Sequence, residues 1–411
     1  MTDDVKAPPS LLADAAVPAV DETSPRTYSL LRRMRYVSTT FGSLYLVAVL
    51  LLTIPFIQTH TLYLNALRFP WFAKFDQPAF YGLAPGKTLN LQLNTSDHET
   101  LGAWFVFSDH WYRSQPFPPP ATPSLESVQT AVQNRPTILF FHGNAATRAF
   151  HVRVAHYQAY SARLNVNVLA IDYRGYADST GRPSEDGLAL DARAAWDWLL
   201  SHGTKAEDIL IVGHSLGTAV SARLAGDLSA EGSRYRGVVM MSPFSSIESV
   251  LNTYSILGLF PVMRPLTVIP RAPGLVAKAL IHKFDTLDAF HRVTGPTLIA
   301  HSVNDMDIPD SHSDVLFDSI IEPHLAEIKR PSIRGNEWKD SDWEEFKNAR
   351  AIRKDQRAAL VQTLDIRNFG ILENASLPDR KVSLLKALKG GHDRLGIQEG
   401  VQDVMRIMFD L

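Results

Sequence analysis

Residues 209–228 read ILIVGHSLGTAVSARLAGDL. Four apolar residues, a G-x-S-x-G turn and a run of helix formers follow one another without a break, which is the order strand, sharp turn, helix. A bare G-x-S-x-G arises by chance in a chain with 23 glycines; the flanking strand and helix give this one its meaning. Such a turn lifts the serine hydroxyl above the end of a sheet, which strains the serine backbone and favours glycine two positions to either side. Gly213 and Gly217 fill those positions around Ser215, the candidate nucleophile.

Similar apolar runs recur on both sides of this segment: TILFF at 137–141, VNVLAI at 166–171, VVMM at 238–241 and TLIA at 297–300, separated by helix-like stretches such as 188–200. Strands that are apolar on both faces and alternate with helices imply a parallel sheet covered on both sides. A doubly wound, mostly parallel α/β domain is therefore expected from about residue 85 to the C-terminus.

A serine hydroxyl needs a base, and the base needs an orienting carboxylate. With a nucleophile elbow the chain order is serine, acid, histidine. Asp305 follows the run at 297–300 and is the candidate acid, with Asp307 and Asp310 as rivals. His392, on the Gly390-Gly391 loop ahead of a terminal helix, is the candidate base. His312 and His324 also follow Asp305 and read as surface residues on a helix, whereas His142 and His214 precede it and read as structural. Two N–H donors must receive an oxyanion. Leu216, next after the serine, supplies one; the loop His142-Gly143-Asn144-Ala145 supplies the other, from Asn144 or alternatively Ala145.

Of 411 residues, 45% are hydrophobic and 20% charged, with a formal net charge of −2. No basic stripe with interleaved aromatics marks a nucleic-acid binder. The absence of cysteine excludes disulfides, thiolate metal sites and a cysteine nucleophile, and the serine chemistry requires no metal or organic cofactor. Residues 1–35 read as a disordered tail. Residues 36–57 carry no charge over roughly 22 residues, about 33 Å as a helix, and are expected to cross a membrane. Arg26, Arg32, Arg33 and Arg35 precede this span, while Arg68 and Lys74 are the first cations after it, so the positive-inside rule puts the N-terminus in the cytosol. Asn94 and Asn374 head glycosylation sequons on the opposite side. Residues 58–84 form a juxtamembrane segment whose aromatic part either lies among headgroups or packs on the domain. Residues 249–285 follow the strand at 238–241, and 251–284 lack any acid; they read as a lid or as two ordinary packed helices.

LYLNALRFPWF (62–72), FHGNAATR (141–148), IDYRGYADSTGRPSEDG (171–187), GHSLGTAV (213–220), MSPFSSI (241–247) and the surroundings of Asp305 and His392 resemble the α/β-hydrolase domain-containing protein 12 family of membrane-bound lipases. The resemblance runs from about residue 44 to the C-terminus. It implies an α/β-hydrolase fold, Ser215, Asp305 and His392 as a triad, residence in the endoplasmic reticulum with a lumenal active site, and lysophosphatidylserine or monoacylglycerol substrates. The chain departs from the family in a charged insertion at about 325–380, which is either a surface excursion or a change in substrate access. The same triad on an acyl-protein thioesterase or peptidase, or a non-catalytic binding protein on this fold, are the alternatives; protein partners are unknown.

Overall fold

The computed structural model describes residues 25–120, 122–253, 255–256, 260–261, 265–266, 269–328, 339–378 and 380–411. The expected tail up to residue 24, part of the lid and residues 329–338 of the insertion lie outside the described residues. The chain divides into two compact units at Leu52.

The described part of the first unit is helix α1 (Pro25–Leu51). Its stretch Leu30–Leu51 has 22 residues and a mean hydropathy of 1.3, long and apolar enough to cross a membrane. This stretch overlaps the expected 36–57 over residues 36–51. Residues 25–35, assigned to the tail, are helical, because arginine is a good helix former. Pro55 sets the other limit, since the residue before a proline is pushed out of the α region, and Ile54 is extended at φ −78°, ψ 123°.

The second unit is built on a ten-stranded sheet. In chain order its strands are β1 (Thr88–Asn94), β2 (Thr100–Val106), β3 (Thr137–Phe141), β4 (Asn167–Ile171), β5 (Ile209–His214) and β6 (Gly237–Met241). A separate two-residue ladder, β7 (Ser255–Ile256) and β8 (Phe260–Pro261), comes next. The sheet resumes with β9 (Thr297–Ser302), β10 (Val361–Ile366), β11 (Gly370–Ser376) and β12 (Lys381–Ala387). The spatial order is β1-β2-β4-β3-β5-β6-β9-β12-β11-β10. The run from β4 to β12 is parallel, and an antiparallel pair closes each edge. Five parallel strands are the five runs read from the sequence. Each feeds two cores by simple alternation: Leu139, Phe141, Ile209 and Ile211 face one side, and Ile138, Phe140, Leu210 and Val212 the other.

The helices of this unit are α2 (Pro55–Tyr63), α3 (Asp109–Arg113), α4 (Leu125–Asn134), α5 (His151–Ala159), α6 (Glu185–Ser201), α7 (Leu216–Ala230), α8 (Ile247–Thr253), α9 (Ala272–Ala279), α10 (Thr286–His291), α11 (Ser311–Ile321), α12 (Asp340–Leu360) and α13 (Glu399–Phe409). Helices α8 and α9 and the β7–β8 ladder are described elements of the expected lid. The Gln58 side chain, almost buried, joins α2 to α9: Nε2 donates to Ala279 O at 2.7 Å and Oε1 accepts from Ile281 N at 3.1 Å.

The charged insertion extends the sheet. Helix α12 packs back through Arg357 on Asp318 (2.7 Å), and β10 with β11 form a hairpin on β12. Asn374 lies inside this hairpin, where its Oδ1 accepts from Ser383 Oγ at 2.7 Å, whereas Asn94 ends β1 and is exposed.

A buried ion-pair network fixes the loop after β3. Arg148, fully buried, donates to Asp172 Oδ2 (2.7 Å), to Asp178 Oδ1 (2.6 Å) and to Asn90 Oδ1 (3.0 Å), with its guanidinium 3.9 Å from the Phe75 ring centre. Removing one partner of a buried pair leaves the other charge uncompensated. Arg148→Met is expected to destabilise the folded state by about 3–5 kcal/mol, measured by chemical denaturation of the detergent-solubilised protein; a loss below about 1 kcal/mol would mean that the network is not a structural tie.

Candidate active site

The turn after β5 has the shape its sequence requires. Ser215 sits at φ 52°, ψ −120°, a conformation that side-chain-bearing residues rarely adopt. A Cβ on Gly213 would meet Gly217 O at 2.3 Å, and one on Gly217 would meet Phe141 O at 2.1 Å. Neither position accepts a larger residue, because backbone is the obstacle in both. Ser215 N donates to Met241 O at 3.0 Å, which ties the turn to the end of β6.

His392 reaches this point on a loop whose two glycines adopt positive φ, Gly390 at 136° and Gly391 at 56°. Gly391 N donates to Ser302 Oγ (3.2 Å) and Asn304 Oδ1 (3.0 Å). His392 O accepts from His214 Nε2 (2.8 Å) and Ser242 Oγ (3.2 Å). Three adjacent strand ends thus hold the imidazole's backbone. Its Nδ1 lies 2.8 Å from Asp305 Oδ2, whose carboxylate is fully buried. Asp305 Oδ1 accepts from the N–H groups of Asp307 and Ile308, both at 2.9 Å. His301 supports the pair from behind: Nε2 donates to Ile308 O at 3.0 Å and lies 3.2 Å from Asp305 Oδ2.

Burial alone would raise the Asp305 pKa, but hydrogen bonds from His301 and His392 and the charge of His392 hold it far below the carboxylate range. Burial likewise opposes the charge on His392, yet the hydrogen bond and charge of Asp305, with Asp307 and Asp393 nearby, raise its pKa above the ordinary imidazole value. The geometry is that of a base oriented by a carboxylate that favours the imidazolium. Ser215 and His392 line one cavity of about 390 Å³ with apolar walls that include Phe150, Phe244, Ile247, Val250 and Ile308. Among the described residues no hydrogen bond joins Ser215 Oγ to His392 Nε2, and such contacts commonly tighten only around a substrate.

The rival residues have other partners. Asp310 pairs with Lys386 at 3.0 Å, and Asp307 is exposed with its N–H on Asp305. His312 corrects the surface reading: it is buried, facing Ser245 Oγ (3.0 Å) and Thr253 Oγ1 (2.9 Å), and burial with the charge of His301 lowers its pKa to about 4. His324 is exposed, as expected. His142 and His214 bind backbone carbonyls, Gly143 O at 2.6 Å and His392 O at 2.8 Å.

The loop after β3 is held by a segment that sequence reasoning left undecided. Residues 62–69 pack on the domain. Ala145 N donates to Tyr63 O (2.9 Å), Ala146 N to Leu67 O (2.6 Å) and Thr147 N to Phe69 O (3.0 Å). Ala145 N–H is therefore already used, which removes it as the alternative donor. Among the described residues the N–H groups of Asn144 and Leu216 have no acceptor, and both residues line the cavity with Ser215. Leu62 and Phe69 also line it, while Trp71 and Phe72, 53% and 98% exposed, face outward just beyond.

Two groups, His214 with His392 and Asp393, and Asp305 with Asp307 and His392, are compact enough to hold a metal ion. Both draw on His392, whose Nδ1 is hydrogen-bonded to Asp305.

Residues 138–394 match the Alpha/beta hydrolase family. The lysophosphatidylserine lipase ABHD12 of Xenopus tropicalis is 31% identical over 296 residues, 69% of this chain and 71% of that protein. The protein of the same name from Rattus norvegicus is 30% identical over 263 residues, 62% of this chain and 61% of that protein. Among solved structures, an alpha-beta hydrolase from Vibrio vulnificus superposes with a TM-score of 0.53 at 15% identity, covering 87% of this chain and 94% of that one, a likeness of fold. Sequence match, sheet order and elbow agree, and the chain belongs to the alpha/beta hydrolase family, within the group of the ABHD12 proteins.

Proposed function

We propose that this protein is a membrane-anchored serine hydrolase that cleaves the acyl ester of single-chain lipids, lysophosphatidylserine or monoacylglycerol. The observation that carries the reading is the contact of His392 Nδ1 with the buried Asp305 carboxylate at 2.8 Å, in a loop that borders the same apolar cavity as Ser215. Ser215 Oγ attacks the ester carbonyl as its proton passes to His392 Nε2, and Asp305 stabilises the imidazolium. The oxyanion is received by Asn144 N–H and Leu216 N–H. Its collapse breaks the bond to the glycerol oxygen, which takes the proton from His392. Water, deprotonated by the same imidazole, then releases the fatty acid and restores Ser215.

The substrate class is drawn from two sources: the apolar cavity, which suits an acyl chain, and the relatives named lysophosphatidylserine lipase. Helix α1 supplies the anchor in this reading. Its arginines lie at its N-terminal end and favour a cytosolic N-terminus, which puts the hydrolase unit and the exposed Asn94 sequon in the lumen of the endoplasmic reticulum. In intact microsomes the hydrolase unit is expected to resist added protease until detergent is present; digestion without detergent would reverse the orientation.

Detergent-solubilised wild type is expected to release fatty acid from lysophosphatidylserine and monoacylglycerol, and Ser215→Ala to lose about 10⁴-fold or more of the rate. Release that survives in Ser215→Ala would overturn the serine mechanism. Attack needs neutral His392, and the raised pKa means that the neutral form is gained only above the ordinary imidazole range. The rising limb of kcat/KM against pH is accordingly expected above about 6.5, and a limb below that value would contradict the His392–Asp305 pairing.

A further inference from the structure

We propose that Arg153 is a positioning residue that preorganises the oxyanion hole, clamping the loop from inside and polarising the peptide group that carries the Asn144 donor. The inference rests on the oxyanion assignment above. Arg153 lies in the first turn of α5, where a cation runs against the helix dipole, and it is buried at 6% exposure. Among the described residues no carboxylate forms an ion pair with it and its Nη1 has no hydrogen-bond partner. Burial also works against its charge, so neither helix preference nor ion pairing accounts for a guanidinium here.

Its hydrogen bonds all go to one place. Nη2 donates to three successive carbonyls of the loop, Gly143 O at 3.0 Å, Asn144 O at 3.1 Å and Ala145 O at 2.6 Å. The loop needs such a hold, because Ala145 and Ala146 have φ of 54° and 52°, a region disfavoured for residues with a Cβ. Tyr63 O, Leu67 O and Phe69 O restrain the loop through its N–H groups, and Arg153 restrains it through its C=O groups. Asn144 N–H is left pointing at no protein acceptor among the described residues.

Gly143 C=O and Asn144 N–H are the two ends of one peptide group. A charged donor on the oxygen draws electron density through the amide and makes its N–H a stronger donor, the cooperative effect expected of linked hydrogen bonds. His142 Nδ1, 2.6 Å from the same oxygen, adds a second donor, since a carbonyl only accepts. This effect grows as charge develops on the substrate oxygen, so it acts on the transition state more than on the bound ester.

The test is made on the full chain in detergent, with a soluble p-nitrophenyl ester, a trifluoromethyl ketone as oxyanion mimic, and a fluorophosphonate to count reactive sites. Arg153→Met is expected to lower kcat per titrated site by about 10–100-fold, below the full loss of a direct donor, with KM within about twofold. The Ki of the ketone should rise by a similar factor. A merely structural role would reduce the number of titrated sites and leave kcat per site and Ki unchanged, and that result would overturn the proposal. If Arg153→Met yields no folded protein, Arg153→Gln, neutral but still a donor, carries the same two outcomes. Ser215→Ala is run beside it: residual activity there would overturn the serine mechanism itself, whereas an inactive Ser215→Ala with a normal Arg153 variant would defeat only this inference.

Discussion

The close approach of two backbones governs the rest of the structure. The turn from Gly213 to Gly217 presses against the end of β3, so that a single methyl group on Gly217 would lie 2.1 Å from Phe141 O. That approach forces Ser215 into a strained conformation and sets its hydroxyl at the mouth of the sheet. Strain of this kind persists only where the surroundings over-determine it, and here the fully buried parallel strands β3, β5 and β6 do so. The same crowding sets the loop after β3 beside the serine, which is why one turn in the chain fixes both Ser215 and the neighbouring loop.

Two further ties give that arrangement its chemistry. On one side, His392 is held by contacts from the ends of β5, β6 and β9, and Asp305 by four hydrogen-bonding neighbours, Asp307, Ile308, His301 and His392. On the other, α2 and the residues after it reach both the oxyanion loop and, through Gln58, the end of α9. Residues just past the membrane-spanning candidate therefore contribute to the cavity wall and hold the loop after β3. Trp71 and Phe72 are exposed beside the cavity-lining Leu62 and Phe69, outside and inside faces of one short segment.

Much of this was legible in the sequence because it is written in side chains. Five of the six parallel strands are apolar on both faces, and the elbow glycines, Asp305 and His392 stand in the chain order serine, acid, histidine. What sequence reading missed is carried by the backbone or by pairs distant in sequence. The hold of Tyr63, Leu67 and Phe69 on the loop runs through carbonyl oxygens, which every residue has. His301 is a lone histidine at a strand end until Asp305 is placed 3.2 Å away. Strand β10 exposes successive residues instead of alternating, so no period of two betrayed it, and the charged insertion read as either a surface excursion or a change in substrate access. The start of α1 differs from the expected span because the absence of charge marks a bilayer core while helix geometry extends through Arg32, Arg33 and Arg35.

The account depends on Ser215 being a nucleophile activated by His392. Mass spectrometry of the solubilised protein after reaction with a fluorophosphonate tests this most directly. A single phosphonyl adduct on the peptide containing Ser215, formed far more slowly in His392→Ala, is the predicted result; an adduct on a different serine, or none on folded wild-type protein, would contradict it.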